Sequence, residues 1–430
     1  MSAENLNSVS EFEAVAIGEH QLVPWPRVAA VAAMVAFSLP TFVTGLEVGA
    51  GLSLANTFWA LLWGSIIIVI IGAVMGVIGA RSRMSSYLLV RVAFGDKGAA
   101  IVNIAFAISL LGWFGVNINL FMDAVAGLGR DVWEVELPPV GLAIFASFCM
   151  TLTTLVGFKA INILASLLVP VLAFVTFMLA KTAMTSQTLP EIMSAEKVET
   201  LTTGEGISAI VGAIIIGAII LPDITRFVRH WSGAIYTAVI AYIVVQLAVM
   251  GAAALAGATT GQSDILQIMI DMKLGLGAFI IVIAGSWVLN SLNLYSAVLG
   301  VKATFPKLKT IALTIGLGAV GVLAALMNIL DGFITFLFYL SVIFIPVAGV
   351  LIIDALFIRP DVYRIETLND NRALNWKGFT AWAVGAVFAV LASEAVLPTL
   401  TKIAAMDAVI LSGLLYIALA WSERRKGTNA

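Results

Sequence analysis

The chain has 430 residues, 61% hydrophobic and 11% charged, with a formal net charge of −2 and one cysteine. A soluble domain carries about 25% charged residues, so a water-exposed globular fold is excluded, and the charge balance offers no surface for nucleic acid. The composition is that of an integral membrane protein built from helices, which satisfy their own backbone in lipid, and the lone Cys149, set in an apolar run, rules out a disulfide framework.

The first stretch, MSAENLNSVSEFEAVAIGEH, is polar and acidic. It lacks the basic start and apolar run of a cleaved signal peptide, and residues 1–27 read as a cytoplasmic tail. A spanning helix needs about 20 mostly apolar residues. Such segments fall at 28–46, 56–79, 99–126, 138–158, 162–182, 207–227, 233–256, 275–300, 310–328, 332–357, 376–394 and 405–421, with a second cytoplasmic tail at 422–430. An even count puts both termini on one side, and the Lys/Arg bias says which. With the termini inside, only Arg130, Lys181, Lys197, Lys273 and Lys402 are outside, leaving 18 of the 23 cations inside. The longest outer connection, 183–206, carries Glu191, Glu196, Glu199 and Glu205 and reads as a solvated connector.

The first segment contains FSLPTFVTGLEVGAGLS. Pro40 removes a backbone donor at mid-span and frees carbonyls, and Gly45, Gly49 and Gly51 follow. The sixth contains GISAIVGAIIIGAIILPDITRF, with Gly212, Gly217 and Pro222. Gly and Pro are ordinary packing and kink residues in membrane helices, but interruptions at corresponding places in two halves point to a transporter site. The first and sixth segments correspond if the first ten form two five-helix inverted repeats.

The third segment contains LLGWFGVNINLF, in which Trp113 and Asn117 share a helix face. The eighth contains GSWVLNSLNLYSAVLG, where Ser286, Asn290, Asn293 and Ala297 trace a polar-to-small stripe that belongs against protein or a cavity. An aromatic plate beside amides suits a flat, polar, uncharged heterocycle. The competing reading is a packing tryptophan with interhelical amide bonds worth about 0.6 kcal/mol each. Glu47 and Asp123 fall near outer helix ends, and Asp223 and Asp354 near inner ends beside Arg226 and Arg359. These four read as interfacial or ion-paired groups, and Glu47, which follows the first break, is the one kept for proton coupling. The two histidines, His20 and His230, lie in cytoplasmic parts, and no His/Cys cluster has metal spacing. The chain therefore does not read as an enzyme. It carries no phosphate-binding P-loop motif, so transport is driven by an ion gradient or runs downhill.

Four stretches resemble the nucleobase–cation symporters of the cytosine and purine permease type: VGAGLSLANTFWALLWGSII (48–67), GARSRMSSYLLVRVAFGDKG (79–98), GWFGVNINLF (112–121) and PDITRF (222–227). NSLNLYSAVLG (290–300) is a weaker match, and the resemblance runs from about residue 28 to 420. It implies an all-α integral membrane fold of twelve transmembrane helices, with a five-plus-five inverted-repeat core over 28–357 and two further helices over 376–421. It also implies a secondary transporter in the cytoplasmic membrane that imports a nucleobase, cytosine or a related pyrimidine or purine, by cation symport with alternating access. The alternatives are a thiamine-precursor pyrimidine, a hydantoin or another heterocycle. A membrane receptor that binds such a ring without moving it is the reading from a different class.

By this resemblance the substrate lies between the first, third, sixth and eighth helices. Trp113 matches the tryptophan on which the base stacks, Gly112 and Gly115 clear space around its ring, and Asn117 lies one turn along. Asn290 is retained, with Asn293 on its face. Leu110 stands where cytosine permeases have a glutamine, and Ala213 and Ile214 where they have a serine and an aromatic. The pattern Trp-Thr-Thr-Asn-Asp-Asn becomes Trp287, Val288, Leu289, Asn290, Ser291, Leu292. A more apolar pocket is implied. The ion would use carbonyls near Phe37 and Pro40 together with oxygens of the eighth helix, where only Ser291 partly replaces the lost hydroxyls. Proton coupling with Glu47 is therefore expected, with sodium as the alternative. No cofactor is expected, and the protein is expected to be a monomer in the bilayer.

This topology is testable with single cysteines placed in a Cys149-free variant and labelled from outside with an impermeant reagent. A cysteine at position 195 should react and one at position 90 should not. The opposite pattern would overturn the assignment of sides.

Overall fold

The computed structural model describes residues 17–186, 198–262, 264–327, 344–370, 372–394, 396–401 and 403–427. Helices α1 (Trp25–Ala36) and α2 (Leu39–Gly51) meet at a 54° bend. Next come α3 (Leu54–Ser82), α4 (Ser86–Trp133), α5 (Pro139–Val156) and α6 (Phe158–Ser186). Helix α7 (Thr203–Ile219) is followed by the single turn α8 (Pro222–Thr225). Helices α9 (Ser232–Thr260), α10 (Ile265–Asp271) and α11 (Gly275–Thr304) lead to four helices whose described apolar stretches are shorter than those of the seven long spans. These are α12 (Thr310–Leu326), α13 (Phe344–Ile358), α14 (Trp376–Ser393) and α15 (Ala404–Gly427). Among the described residues seven helices are long and apolar enough to cross a membrane, or eight if the bent α1–α2 pair is one span. The expected segment 332–357 is described only from residue 344, and Glu191, Glu196, Lys197 and Lys402 lie outside the described residues.

The first break is not at Pro40. The chain turns at Phe37–Ser38, and Pro40 is the second residue of α2, a position where a missing N–H costs nothing because it has no helical acceptor. The proline therefore starts a helix instead of kinking one. The Val35 carbonyl, released by the bend, accepts hydrogen bonds from the Ser38 hydroxyl at 2.8 Å and the Thr41 hydroxyl at 3.0 Å. Nor do Gly45 and Gly49 belong to the break. A Cβ on Gly45 would lie 2.6 Å from Met250 Cα, and one on Gly49 2.7 Å from Ala254 Cβ. The Gly-x-x-x-Gly step seats α2 directly on the α9 backbone, as small residues do between membrane helices. The second interruption falls at Ile220–Leu221, ahead of Pro222, while α7 runs unbroken through Gly212 and Gly217.

Helix α4 has one non-helical residue, Gly95, at φ 74° and ψ 168°, a region open essentially to glycine alone. The chain there docks on the segment before α14. Asp96 N–H donates to the Arg372 carbonyl at 3.0 Å, Lys97 N–H to Ala373 at 2.8 Å, and Asn375 N–H to Phe94 at 2.8 Å. A Cβ on Gly95 would lie 2.7 Å from the Arg372 carbonyl oxygen. Gly95→Ala should therefore cost at least the roughly 1–3 kcal/mol of a residue forced into such a conformation. Thermal unfolding in detergent should show a lowered midpoint. An unchanged midpoint would mean that this contact does not constrain the fold.

Candidate functional site

Both breaks border one cavity of about 50 Å³, room for about four water molecules at roughly 10–15 Å³ each. The bend contributes Ser38, Pro40 and Thr41, α4 contributes Leu110 and Trp113, and α9 contributes Tyr242. Helix α7 and its C-cap present Ala213, Ile216, Gly217 and Ile220, and α11 presents Leu289, Leu292, Asn293 and Ser296. Both sets follow the i, i+3, i+4, i+7 spacing of one helical face. Asp223, from α8, closes the wall between them.

Of the residues assigned to substrate or ion from the sequence, Leu110, Trp113, Ala213, Asn293 and Pro40 reach this cavity. The others are held elsewhere. Asn117 is fully buried and donates its amide to the Trp113 carbonyl at 2.8 Å. Asn290 donates to the Phe114 carbonyl at 3.1 Å, fastening α11 to α4, and accepts from the Asn293 amide at 3.4 Å. Ile214 is buried 100° round α7 from Ala213, off the cavity face. Gly115 admits α12, since a Cβ there would lie 2.9 Å from Ala324 Cβ. Gly112, beside Trp113, is half-buried and off the cavity wall.

The residues assigned to the ion also separate. Ser291 bonds the Trp287 carbonyl at 2.8 Å and the Met150 carbonyl at 3.4 Å, so its hydroxyl faces α5 and not the bend. Phe37 is buried, and its carbonyl oxygen would lie 2.6 Å from a Cβ on Gly285, so α11 meets the bend at that glycine. Glu47 is half-buried on α2 and does not border the cavity.

Two groups on the wall, Asp223 and Tyr242, were not assigned to the site from the sequence. Asp223 is fully buried, and its carboxylate accepts from the Ser86 N–H and the Ser296 hydroxyl, both at 2.8 Å. Its neighbour Arg226 donates to the Asp223 carbonyl at 3.2 Å and to the Tyr295 hydroxyl at 2.8 Å. The sequence paired Asp223 with Arg226 at an interface, and the fold turns the carboxylate toward α4 and α11 at the cavity. Tyr242 is buried, and its hydroxyl has no partner among the described residues. A buried hydroxyl left unbonded costs about 1–3 kcal/mol, so this one is poised to bond whatever fills the cavity. Tyr242 and Gln246 stand one turn apart in the apolar run AYIVVQLAV, the same kind of signal that drew attention to the asparagines.

Residues 28–415 match the family model described as permease for cytosine/purines, uracil, thiamine, allantoin. The chain is 28% identical over 391 residues to the cytosine permease of Escherichia coli K12, covering 90% of this chain and 88% of that protein. In structure it is similar to Mhp1, a nucleobase-cation-symport-1 family transporter, in a closed conformation with bromovinylhydantoin bound. The TM-score is 0.76 at 20% identity, covering 94% of this chain and 93% of the other. A Na+-coupled sialic acid symporter in a substrate-bound outward-open state gives a TM-score of 0.69 at 12% identity, covering 97% and 95%.

Trp113 is the largest apolar surface on α4 that reaches the cavity. Stacking of a base on an aromatic ring is worth about 1–3 kcal/mol, or roughly 5- to 150-fold in affinity. Trp113→Ala should lose that much affinity for a heterocycle that stabilises the native protein in a thermal-shift screen, while still purifying as a folded species. Unchanged affinity in the folded variant would return Trp113 to a packing role.

Proposed function

The chain belongs to the family of permeases for cytosine, purines, uracil, thiamine and allantoin, and from that premise we propose that it imports a nucleobase or closely related flat heterocycle by cation symport. The observation that carries this reading is the single cavity at which both helix breaks, Trp113, Asn293 and the open Tyr242 hydroxyl converge. Non-helical backbone is tolerated at membrane depth only where protein buries it or a cavity meets it. A ring stacks on Trp113 while its edge bonds Asn293 and Tyr242. Leu110 and Ala213 make that wall more apolar than one carrying glutamine and serine, which favours a substituted pyrimidine or a hydantoin-like ring over cytosine. The cavity holds only a few water molecules, so a ring enters by displacing side chains, as alternating access requires.

In this reading α12 to α15 cross the membrane with the eight longer spans. The twelve helices form a five-plus-five inverted-repeat core and two added helices. The protein sits as a monomer in the cytoplasmic membrane with both termini inside, and Asn117 and Asn290 hold α4 and α11 in place around the ring. Trapping of the ring without release, by a receptor, is the outcome that uptake measurements separate from transport.

Protons drive the cycle, with sodium as the alternative. Val288 and Leu289 offer no oxygen on the face of α11 next to the bend, and Ser291 is spent on α5. Two carboxylates stand for the proton: Asp223 on the cavity wall and Glu47 on α2. Proteoliposomes should accumulate substrate under an imposed pH gradient, and Asp223→Asn or Glu47→Gln should abolish accumulation while leaving substrate binding intact. Accumulation driven by sodium at constant pH, and lost in choline, would sink proton coupling.

A further inference from the structure

Helix α9 runs alongside the first break. Helix α1 packs chiefly on its first half, and α2 on its second half, from Gln246 onward. A Cβ on Gly233, near the start of α9, would lie 2.7 Å from Trp25 Cβ at the start of α1, whereas Met250 and Ala254 receive Gly45 and Gly49 of α2. The bend at Phe37–Ser38 therefore lies beside the middle of α9. There Ile240–Val245 wind as a π-helix, and Gln246 is the first residue after it. Single π-helical turns within α-helices are found mostly at functional sites.

Gln246, Met250 and Ala254 follow the spacing of four that keeps side chains on one helix face, here the face turned to α2. Gly45 meets Met250 and Gly49 meets Ala254 in one register. Carried back one turn, that register sets Gln246 level with Thr41, a residue of the cavity wall. Tyr242, also on the wall, lies one turn before Gln246, about 6 Å along α9.

Gln246 is fully buried, and neither its amide oxygen nor its amide nitrogen has a partner among the described residues. The buried asparagines that fasten helices differ from it, since Asn117 and Asn290 each donate to a backbone carbonyl. An amide that bonds nothing contributes no fastening and keeps its full desolvation cost. It has a donor and an acceptor side by side, so its complement is a ring edge that carries the same pair. A ring N–H beside a carbonyl is one such edge, and a ring nitrogen beside an amino group is another.

We propose that Gln246 is a specificity-determining residue of the transport cavity. When a ring displaces the side chains around Thr41, the Gln246 amide takes its paired donor–acceptor edge, while Trp113 takes its face and Asn293 and Tyr242 bond the rest of its rim. The inference rests on the reading of the chain as a heterocycle transporter. Binding breaks no existing bond of the Gln246 amide, so both new hydrogen bonds count toward affinity. A ring that lacks the paired edge leaves the amide unbonded and is disfavoured.

The test is a thermal-shift titration of the full chain in detergent with uracil, thymine, cytosine, hydantoin and hypoxanthine, all of which carry such an edge. Uracil methylated on both ring nitrogens, which does not, is the control. The native chain is compared with Gln246→Met, which keeps the side-chain length and removes both polar atoms. Affinity for the edge-bearing probes that bind should fall roughly 5- to 30-fold, the weight of one or two hydrogen bonds. The methylated control should not distinguish the two proteins, and the ligand-free midpoint of the variant should be no lower than the native one. Equal affinities in the two proteins, or an equal loss for the methylated control, would overturn the proposal and leave the transporter reading intact. A lowered ligand-free midpoint or a variant that does not fold would do the same, by making Gln246 a structural group. Binding of none of these rings by the native chain would overturn the transporter reading and this proposal with it.

Discussion

In a low-dielectric membrane each backbone N–H and C=O must find a partner inside the protein, and this molecule is organised around the two places where helices stop supplying them. At Phe37–Ser38 the freed Val35 carbonyl is taken by two hydroxyls. At Ile220–Leu221 the single turn of α8 carries the chain on, and Thr225 bonds the carbonyls of Leu221 and of Gly76 on α3, each at 3.0 Å. Breaks of this kind are stable only where protein surrounds them. Here they share one cavity, which sits where the helices fail.

Small residues set how closely that surrounding protein approaches. Gly45 and Gly49 bring α2 onto the α9 backbone, Gly79 brings α3 against Pro222, and Gly115 brings α12 against α4. Lipid tails are as apolar as leucine, so helix association here depends on close contact and interhelical hydrogen bonds more than on hydrophobic burial. The buried amides serve the second purpose. Asn290 bonds α4, and Asn119 reaches the Ala325 carbonyl of α12 at 3.3 Å. Of the asparagines in these two stripes, Asn293 is the one left on the cavity wall.

On the side that the cation bias assigns to the cytoplasm, polar groups gather into a compact network. Asp354 collects Arg359, Tyr363 and Tyr416, and Arg359 and Asn375 continue to the carbonyls of Val92 and Ala93. Burial raises the pKa of the Tyr363 phenol, and the Asp354 charge beside it adds to the effect, so the phenol stays a donor to that carboxylate. The Asp354–Arg359 pairing was legible from their spacing of five residues. The hold of Arg359 and Asn375 on the Gly95 turn was not, because it depends on how the 359–375 segment folds back on Gly95.

The sequence by itself determined the solvent, the succession of apolar segments, the side favoured by cations and the family, because these depend on composition, on local hydropathy and on short unbroken motifs. It also pointed to Trp113 and Asn293, which stand on faces that any α-helix would form. Tertiary structure decided the rest. A helix turns 100° per residue, so only the packing of α4, α7, α9 and α11 around one point determines that Ala213 and not Ile214, Asn293 and not Asn290, and Asp223 and not Glu47 border the cavity. It moved the first break from Pro40 to Phe37–Ser38, because a proline can open a helix as readily as bend one, and only the backbone path distinguishes the two.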